Sequence, residues 1–255
     1  MITQRFTGKS ILCTGAGSGI GLALTGVLAR EGAQLILVDA NQAALDGAAQ
    51  AARDQGASVI TMLADVTDFD RALEVVKAGV KAFGSIDGLY NGAGIAGPTR
   101  PFHETDEAIW RKVIDVNLHG SVNYIRAVIP QMMSQSSGVI VNVSSGAGLR
   151  ATDPGHSPYV TSKHAVIGMS KAAAVEYARY GIRVNAVAPG PTATEMVRKY
   201  TSDNPGVEDH LKKRILLGRL GEPTEIVEMI LFLLSEASSF CTGAVYEVNG
   251  GELAR

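Results

Sequence analysis

Leu12-Cys-Thr-Gly-Ala-Gly-Ser-Gly-Ile-Gly21 is the stretch on which the fold turns. An apolar run, Ser10 to Cys13, leads into it, and a helical pattern leads out: Ile20, Leu22, Ala23, Leu24, Val27, Leu28, Ala29. Glycines between a strand and a helix let the backbone approach a pyrophosphate, which then rests on the helix N-terminus. Gly15, Gly19 and Gly21, with Ser18 and Ile20 between them, are therefore candidate cofactor-binding residues. A packing turn uses the same residue types. A second apolar run, Leu35-Ile-Leu-Val-Asp39, favours the dinucleotide reading, because it ends in a carboxylate 18 residues beyond Gly21. An acid about 20 residues on is what a ribose hydroxyl pair requires.

The same alternation continues along the chain. Strands are predicted at 10–14, 34–39, 58–62, 87–90, 138–143, 182–187 and 244–248, and helices at 19–31, 41–55, 68–83, 105–134, 158–180 and 222–235. Runs such as Gly138-Val-Ile-Val-Asn-Val143 are apolar throughout, as strands buried on both faces of a parallel sheet must be. The expected fold is α/β: a single-domain, Rossmann-type, doubly wound parallel sheet of about seven strands with helices on both faces, over residues 1–255. The least regular stretch, 189–217, holds Pro189, Gly190, Pro191, Pro205 and Gly206, and is expected to be a loop that serves as a substrate lid.

Composition narrows the partners. The 255 residues are 46% hydrophobic with a net charge of −2, a globular chain with no basic excess for nucleic acid. No apolar stretch reaches membrane-spanning length, since Glu225 and Glu228 interrupt the run at 223–234. The first nine residues carry no signal-peptide apolar region, and Cys13 and Cys241 sit in apolar segments as free thiols. A cytoplasmic location is expected, and no metal.

Chemistry concentrates at Ser157-Pro-Tyr-Val-Thr-Ser-Lys-His-Ala-Val. On a helix, Tyr159 and Lys163 lie at i and i+4, on one face. A phenol, with its pKa near 10, is a poor base at neutral pH, and an ammonium beside it favours the phenolate. Just upstream, Val141-Asn-Val-Ser-Ser145 is a serine-rich strand end.

Together these residues resemble the short-chain dehydrogenase/reductase family, in its branch of about 250 residues. Thr14-Gly-Ala-Gly-Ser-Gly-Ile-Gly21 resembles its cofactor turn, and Asp65-Val66 the acid that receives the adenine ring. Asn91-Gly-Ala-Gly94, with Ala93 and Gly94 against the cofactor, resembles the Asn-Asn-Ala-Gly signature, with Gly92 where the family has asparagine. Asn117 resembles the catalytic asparagine. Ser145 resembles the catalytic serine, its Ser-x-x-Gly spacing favouring it over Ser144. Pro189-Gly-Pro-Thr-Ala-Thr194 resembles the segment that holds the nicotinamide carboxamide, through Pro189, Gly190, Thr192 and Thr194. Asn249-Gly-Gly251 resembles the family's closing turn, where Asp is more usual.

The resemblance implies an NAD-dependent oxidoreductase acting on a secondary alcohol or ketone. Tyr159 is then the acid/base and Lys163 lowers its pKa and binds the nicotinamide ribose. Ser145 holds the substrate oxygen, and Asn117 interrupts its helix and holds a proton-relaying water. NAD is expected in preference to NADP, because Asp39 would face a 2′-phosphate with no cation at Ala16, Gly17, Ser18, Ala40 or Asn41. Ala96, Ala147, His156 and Met196 are candidate substrate contacts in mostly apolar walls, which suits a small neutral alcohol or ketone. The alternatives are a 3-oxoacyl-thioester reductase, which would need NADPH and a basic patch, and a catalytically silent NAD-binding module. The run Lys212-Lys-Arg214 is expected to be a solvated helix face. Apolar residues on more than one face of helices 105–134 (Ile109, Val113, Val116, Val122) and 158–180 (Val166, Met169, Ala173) predict a homotetramer, and relatives pair these helices.

Overall fold

The apolar runs become seven parallel strands. In the computed structural model, which describes residues 4–151 and 154–254, β1 (Ser10–Thr14) lies inside one seven-stranded sheet. To one side lie β2 (Gln34–Asp39) and β3 (Val59–Leu63). To the other lie β4 (Gly88–Asn91), β5 (Gly138–Val143), β6 (Ile182–Pro189) and β7 (Val245–Val248). The order β3-β2-β1-β4-β5-β6-β7 makes a doubly wound sheet that changes direction between β1 and β4. Register sets Thr14 opposite both Val38 and Asn91, and Asp39 opposite Leu63. The carboxyl ends of the inner strands therefore finish level, at the crevice where such sheets bind ligands.

Strand side chains alternate between two cores. Ile11, Cys13, Leu35 and Leu37 pack with α1 (Gly19–Arg30), α2 (Gln42–Asp54) and α9 (Pro223–Leu234). Leu12, Ile36 and Val38 face α3 (Phe69–Phe83), α5 (Gly120–Gln135) and α6 (Ser157–Tyr177). Both faces are covered, so the strands are mostly apolar on both sides. No helix among the described residues is long and apolar enough to cross a membrane.

Two stretches differ from the sequence reading. The single helix expected at 105–134 is broken: α4 (Glu107–Ile114) passes through a π-type turn, Asp115–His119, before α5 begins. The extra residue of a π turn leaves the apolar period nearly intact, so the periodicity does not show it. The loop expected at 189–217 contains α7 (Glu195–Asp203) and α8 (Val207–Arg214). The Thr194 hydroxyl accepts from Val197 N at 3.4 Å to cap α7, and Gly206, at φ +86°, opens α8.

The residues taken as a second apolar face are covered within the chain. Val113, Val166 and Ala173 are buried, and Ile109, Val116, Val122 and Met169 are half-buried. Among the large hydrophobic residues of α6, Val175 is the exposed one, at 83%.

Candidate active site

The glycine turn is built by close approach. Gly15 has φ +66°, and a Cβ there would stand 2.9 Å from the backbone of Ala93; one on Gly21 would stand 2.0 Å from the Gly15 carbonyl oxygen. Only glycine permits these contacts. The Thr14 hydroxyl accepts from the backbone N–H of Gly92 (3.1 Å) and Ala93 (3.3 Å), tying the end of β1 to the opposite wall. Asp39 accepts from Gly17 N (2.9 Å) and from Asn41 N (3.0 Å), which holds its carboxylate at the turn.

These residues enclose a cavity of about 450 Å³. Its walls include Gly15, Ser18, Gly19, Ile20, Gly21, Asp39, Asp65, Val66, Ala93, Gly94, Pro189, Gly190, Thr192 and Thr194, with Tyr159 and Lys163 at one end. The Ser18 side chain makes no capping bond at the start of α1. A bare glycine cradle at a helix N-terminus, with a carboxylate one strand away, fits a dinucleotide: the pyrophosphate at the turn and a ribose at Asp39. Tyr90 and Lys112 also line this cavity and were not foreseen from the sequence.

Two predicted site residues point elsewhere. Asn91 is buried, and its amide donates to Asn142 Oδ1 (2.9 Å) and the Ser121 carbonyl (3.3 Å), so it joins β4 to β5 and α5 and does not line the cavity. Asn117 sits in the π turn, fully buried. Its Oδ1 accepts from Ile95 N (2.8 Å), and its Nδ2 donates to the Ile95 carbonyl (2.9 Å) and to Ser162 Oγ (3.0 Å). The side chain thus pins the segment after Gly94 to α6. The substitution at Gly92 also has a physical reason: a Cβ there would lie 2.1 Å from the Tyr90 ring, which fills the space.

Ser145, Tyr159 and Lys163 come together beneath this wall. The Tyr159 hydroxyl is hydrogen-bonded to Ser145, whose Oγ accepts from Ala147 N at 3.2 Å. Both serines line this cavity, but the Ser144 hydroxyl donates inward to the Lys163 carbonyl at 2.9 Å, and of the two Ser145 alone also lines a second cavity. Lys163 is buried; its Nζ donates to the Val143 carbonyl at 2.8 Å and lies 5.7 Å from the centre of the Tyr159 ring. Burial pulls the lysine down to about 8. Burial also raises the Tyr159 pKa above its ordinary value, and the bond to Ser145 works against that rise.

A second cavity, of about 680 Å³, opens on the other side of Ser145 and Tyr159. Ala96, Ala147, His156 and Met196 all line it. The His156 ring packs edge-on to Tyr200 at 5.6 Å and lies 3.4 Å from Thr99 Oγ1. Arg214 and Glu252 line it too. They are joined by an ion pair that spans 38 positions of sequence, a link that no local pattern encodes. The basic run is a solvated face only in part: Lys212 pairs with Glu208 at the surface and Lys213 is exposed, while Arg214 is turned inward. No group of three or more metal-ligating side chains occurs among the described residues.

A family model described as enoyl-(acyl carrier protein) reductase matches residues 15–252. The A-factor type gamma-butyrolactone 1′-reductase of Streptomyces virginiae is 41% identical over 246 residues, covering 96% of this chain and 95% of that protein. The chain belongs to the short-chain dehydrogenase/reductase family. Another member, the 3-oxoacyl-[acyl-carrier-protein] reductase of Thermotoga maritima, is 42% identical over 248 residues, covering 97% and 99% of the two chains. The crystal structure of NAD⁺-bound xylitol dehydrogenase superposes with a TM-score of 0.93 at 34% identity, covering 97% of this chain and 100% of the other. The two cavities meet at Ser145 and Tyr159, which line both.

Proposed function

We propose that this protein is an NAD-dependent oxidoreductase that interconverts a secondary alcohol and a ketone. One observation carries the reading: Ser145 and Tyr159 line both cavities, so one hydroxyl pair meets the cofactor space and the substrate space at once. When bound, the nicotinamide accepts the carbinol hydride or returns it. In oxidation, Tyr159 takes the hydroxyl proton while Ser145 holds the substrate oxygen. In reduction, the same phenol returns the proton to that oxygen. Lys163 fixes α6 to β5 and supplies positive charge near the phenol. Asn117 acts as a positioning residue, through Ile95 and Ser162.

The 189–217 segment supports a lid role. α7 carries no buried residue, and Thr194 at its start lies 3.2 Å from where a Gly19 Cβ would be. Such a segment can order over the cofactor when both ligands bind. Residues 1–255 form one catalytic domain in this reading. The cytoplasm fits the two free cysteines. Exposed Val175, Leu217 and Phe240 favour subunit contacts, and a homotetramer is proposed; a monomer mass by light scattering at micromolar concentration would reject it.

Purified protein assayed with NAD and NADP against a panel of secondary alcohols and ketones tests the function. Hydride transfer to NAD is expected. Dinucleotide binding with no turnover on any member would instead indicate a silent binding module. The similarity to the Thermotoga reductase supports a second reading, a 3-oxoacyl-thioester reductase. It predicts turnover of an acyl thioester with NADPH, which Asp39 and the neutralised basic run both disfavour.

A further inference from the structure

The second cavity is not apolar throughout. α8 ends at Arg214, whose guanidinium donates to Glu252 Oε1, and both side chains line the cavity with Ser145 and Tyr159. The pair is withdrawn from bulk water, with side-chain exposures of 21% and 4%. Glu252 Oε2 stands 3.5 Å from the place a Cβ would occupy on Gly146, the residue after Ser145. The carboxylate therefore borders the same small turn that presents the serine hydroxyl.

A carboxylate removed from water needs hydrogen-bond donors, and one guanidinium does not occupy every acceptor position on its two oxygens. A carboxylate accepts and does not donate, so it selects a donor on the ligand, and on a neutral alcohol or ketone that donor is a hydroxyl O–H. Charge-assisted bonds of this kind are stronger than neutral ones, and failing to make one discriminates against a ligand that lacks the donor. Arg214 balances the charge, so the wall remains compatible with a neutral ligand.

We propose that Glu252 determines substrate specificity by accepting a hydrogen bond from a second hydroxyl group, so that the favoured substrates are neutral diols and hydroxyketones. This inference rests on the hydride-transfer reading of the site. Glu252 takes no part in the chemistry. It orients the substrate from the distal hydroxyl while the carbinol meets Ser145 and Tyr159.

The test compares kcat/KM for cyclohexanol with that for the 1,2-, 1,3- and 1,4-cyclohexanediols, using the full-length protein and its preferred nicotinamide cofactor. At least one diol should exceed cyclohexanol about tenfold or more, the scale of one charge-assisted hydrogen bond. The ratio is the readout, because a loss from altered packing lowers both rates and cancels. In Glu252→Gln, which keeps shape and a neutral acceptor, the ratio should fall at least about threefold. In the double variant Glu252→Leu/Arg214→Met, which removes both members of the ion pair, it should approach one. A wild-type protein that favours no diol, or a ratio unchanged in both variants, overturns the proposal. Failure to oxidise any alcohol with either cofactor sinks the hydride-transfer reading itself, and this inference with it.

Discussion

Lys163 donates from Nζ to the carbonyl oxygen of Val143, 2.8 Å away, at a site where the lysine is only 5% exposed. One neutral acceptor does not replace the hydration of an ammonium, so burial draws the lysine from its ordinary 10.5 down to about 8. Between those values the unfolded chain binds more protons than the folded one, so stability rises with pH from about 8 to about 10.5. Below about 8 the whole penalty is present, on the order of 3 kcal/mol. Lys163→Met should therefore be more stable than the parent at pH 7, by about 1–2 kcal/mol after the lost bond to Val143. It should also lose the upward slope above pH 8, and be inactive. Chemical denaturation at pH 7 and pH 9.5 reads this directly. A destabilised variant at pH 7 would show that the lysine is not held at a cost.

Tyr159→Phe keeps the ring and removes the proton carrier. Turnover should drop by at least about 10²-fold, with dinucleotide affinity and melting temperature little changed. Ser145→Ala asks a finer question. Its bond opposes the burial that raises the Tyr159 pKa. Without it the pKa goes higher still, and the acidic limb of the oxidation rate, where the phenol must lose its proton, should move to higher pH. An unmoved limb would show that the tyrosine does not govern that ionisation.

Tyr90 and Gly92 are predicted to be coupled. A Cβ at 92 would stand 2.1 Å from the Tyr90 ring, which is buried at the cavity wall. Gly92→Asn alone should destabilise by about 2 kcal/mol or more and weaken dinucleotide binding. Tyr90→Val in the same chain should recover a large part of both losses. Strictly additive effects in this cycle would mean that the two residues do not share the space.

The strands were legible because continuous apolar runs bounded by glycine and polar residues have few other uses in a chain of this length. Five of the predicted helices were also legible, from their 3.6-residue period. What escaped was of two kinds. Segments with little buried apolar surface, α7 above all, give no periodic signal, and caps such as Thr194 become visible only once a helix is known. Long-range pairings escaped as well. Asn91 matches a cofactor signature, but its amide meets Asn142 and Ser121 across the sheet. Arg214 matches a basic surface run, but it turns toward Glu252. The glycine turn, Asp39, Ser145, Tyr159 and Lys163 could be picked out in sequence because each chemistry fixes both residue type and spacing, and they line one cavity. The distal wall of the second cavity has no such local rule.

Cofactor choice follows from how Asp39 is held. Its carboxylate accepts from Gly17 N at 2.9 Å and from Asn41 N at 3.0 Å, which fixes it at the cavity wall with acceptor capacity to spare for ribose hydroxyls. A 2′-phosphate there would meet a fixed negative charge. Among the described residues no salt bridge or hydrogen bond brings a lysine or arginine to Asp39. NAD should be favoured over NADP in kcat/KM, by no more than a few kcal/mol because Asp39 is partly exposed. Asp39→Ala with Ala40→Arg removes the repulsion and adds a phosphate partner, so the ratio should move toward NADP. The Gly17 and Asn41 amides lose an acceptor in this variant, which should also weaken NAD binding in its own right. The measurement is the ratio of kcat/KM for the two cofactors on one substrate, in parent and variant. A parent that uses both equally well, or a variant with an unchanged ratio, would remove Asp39 as the discriminating residue.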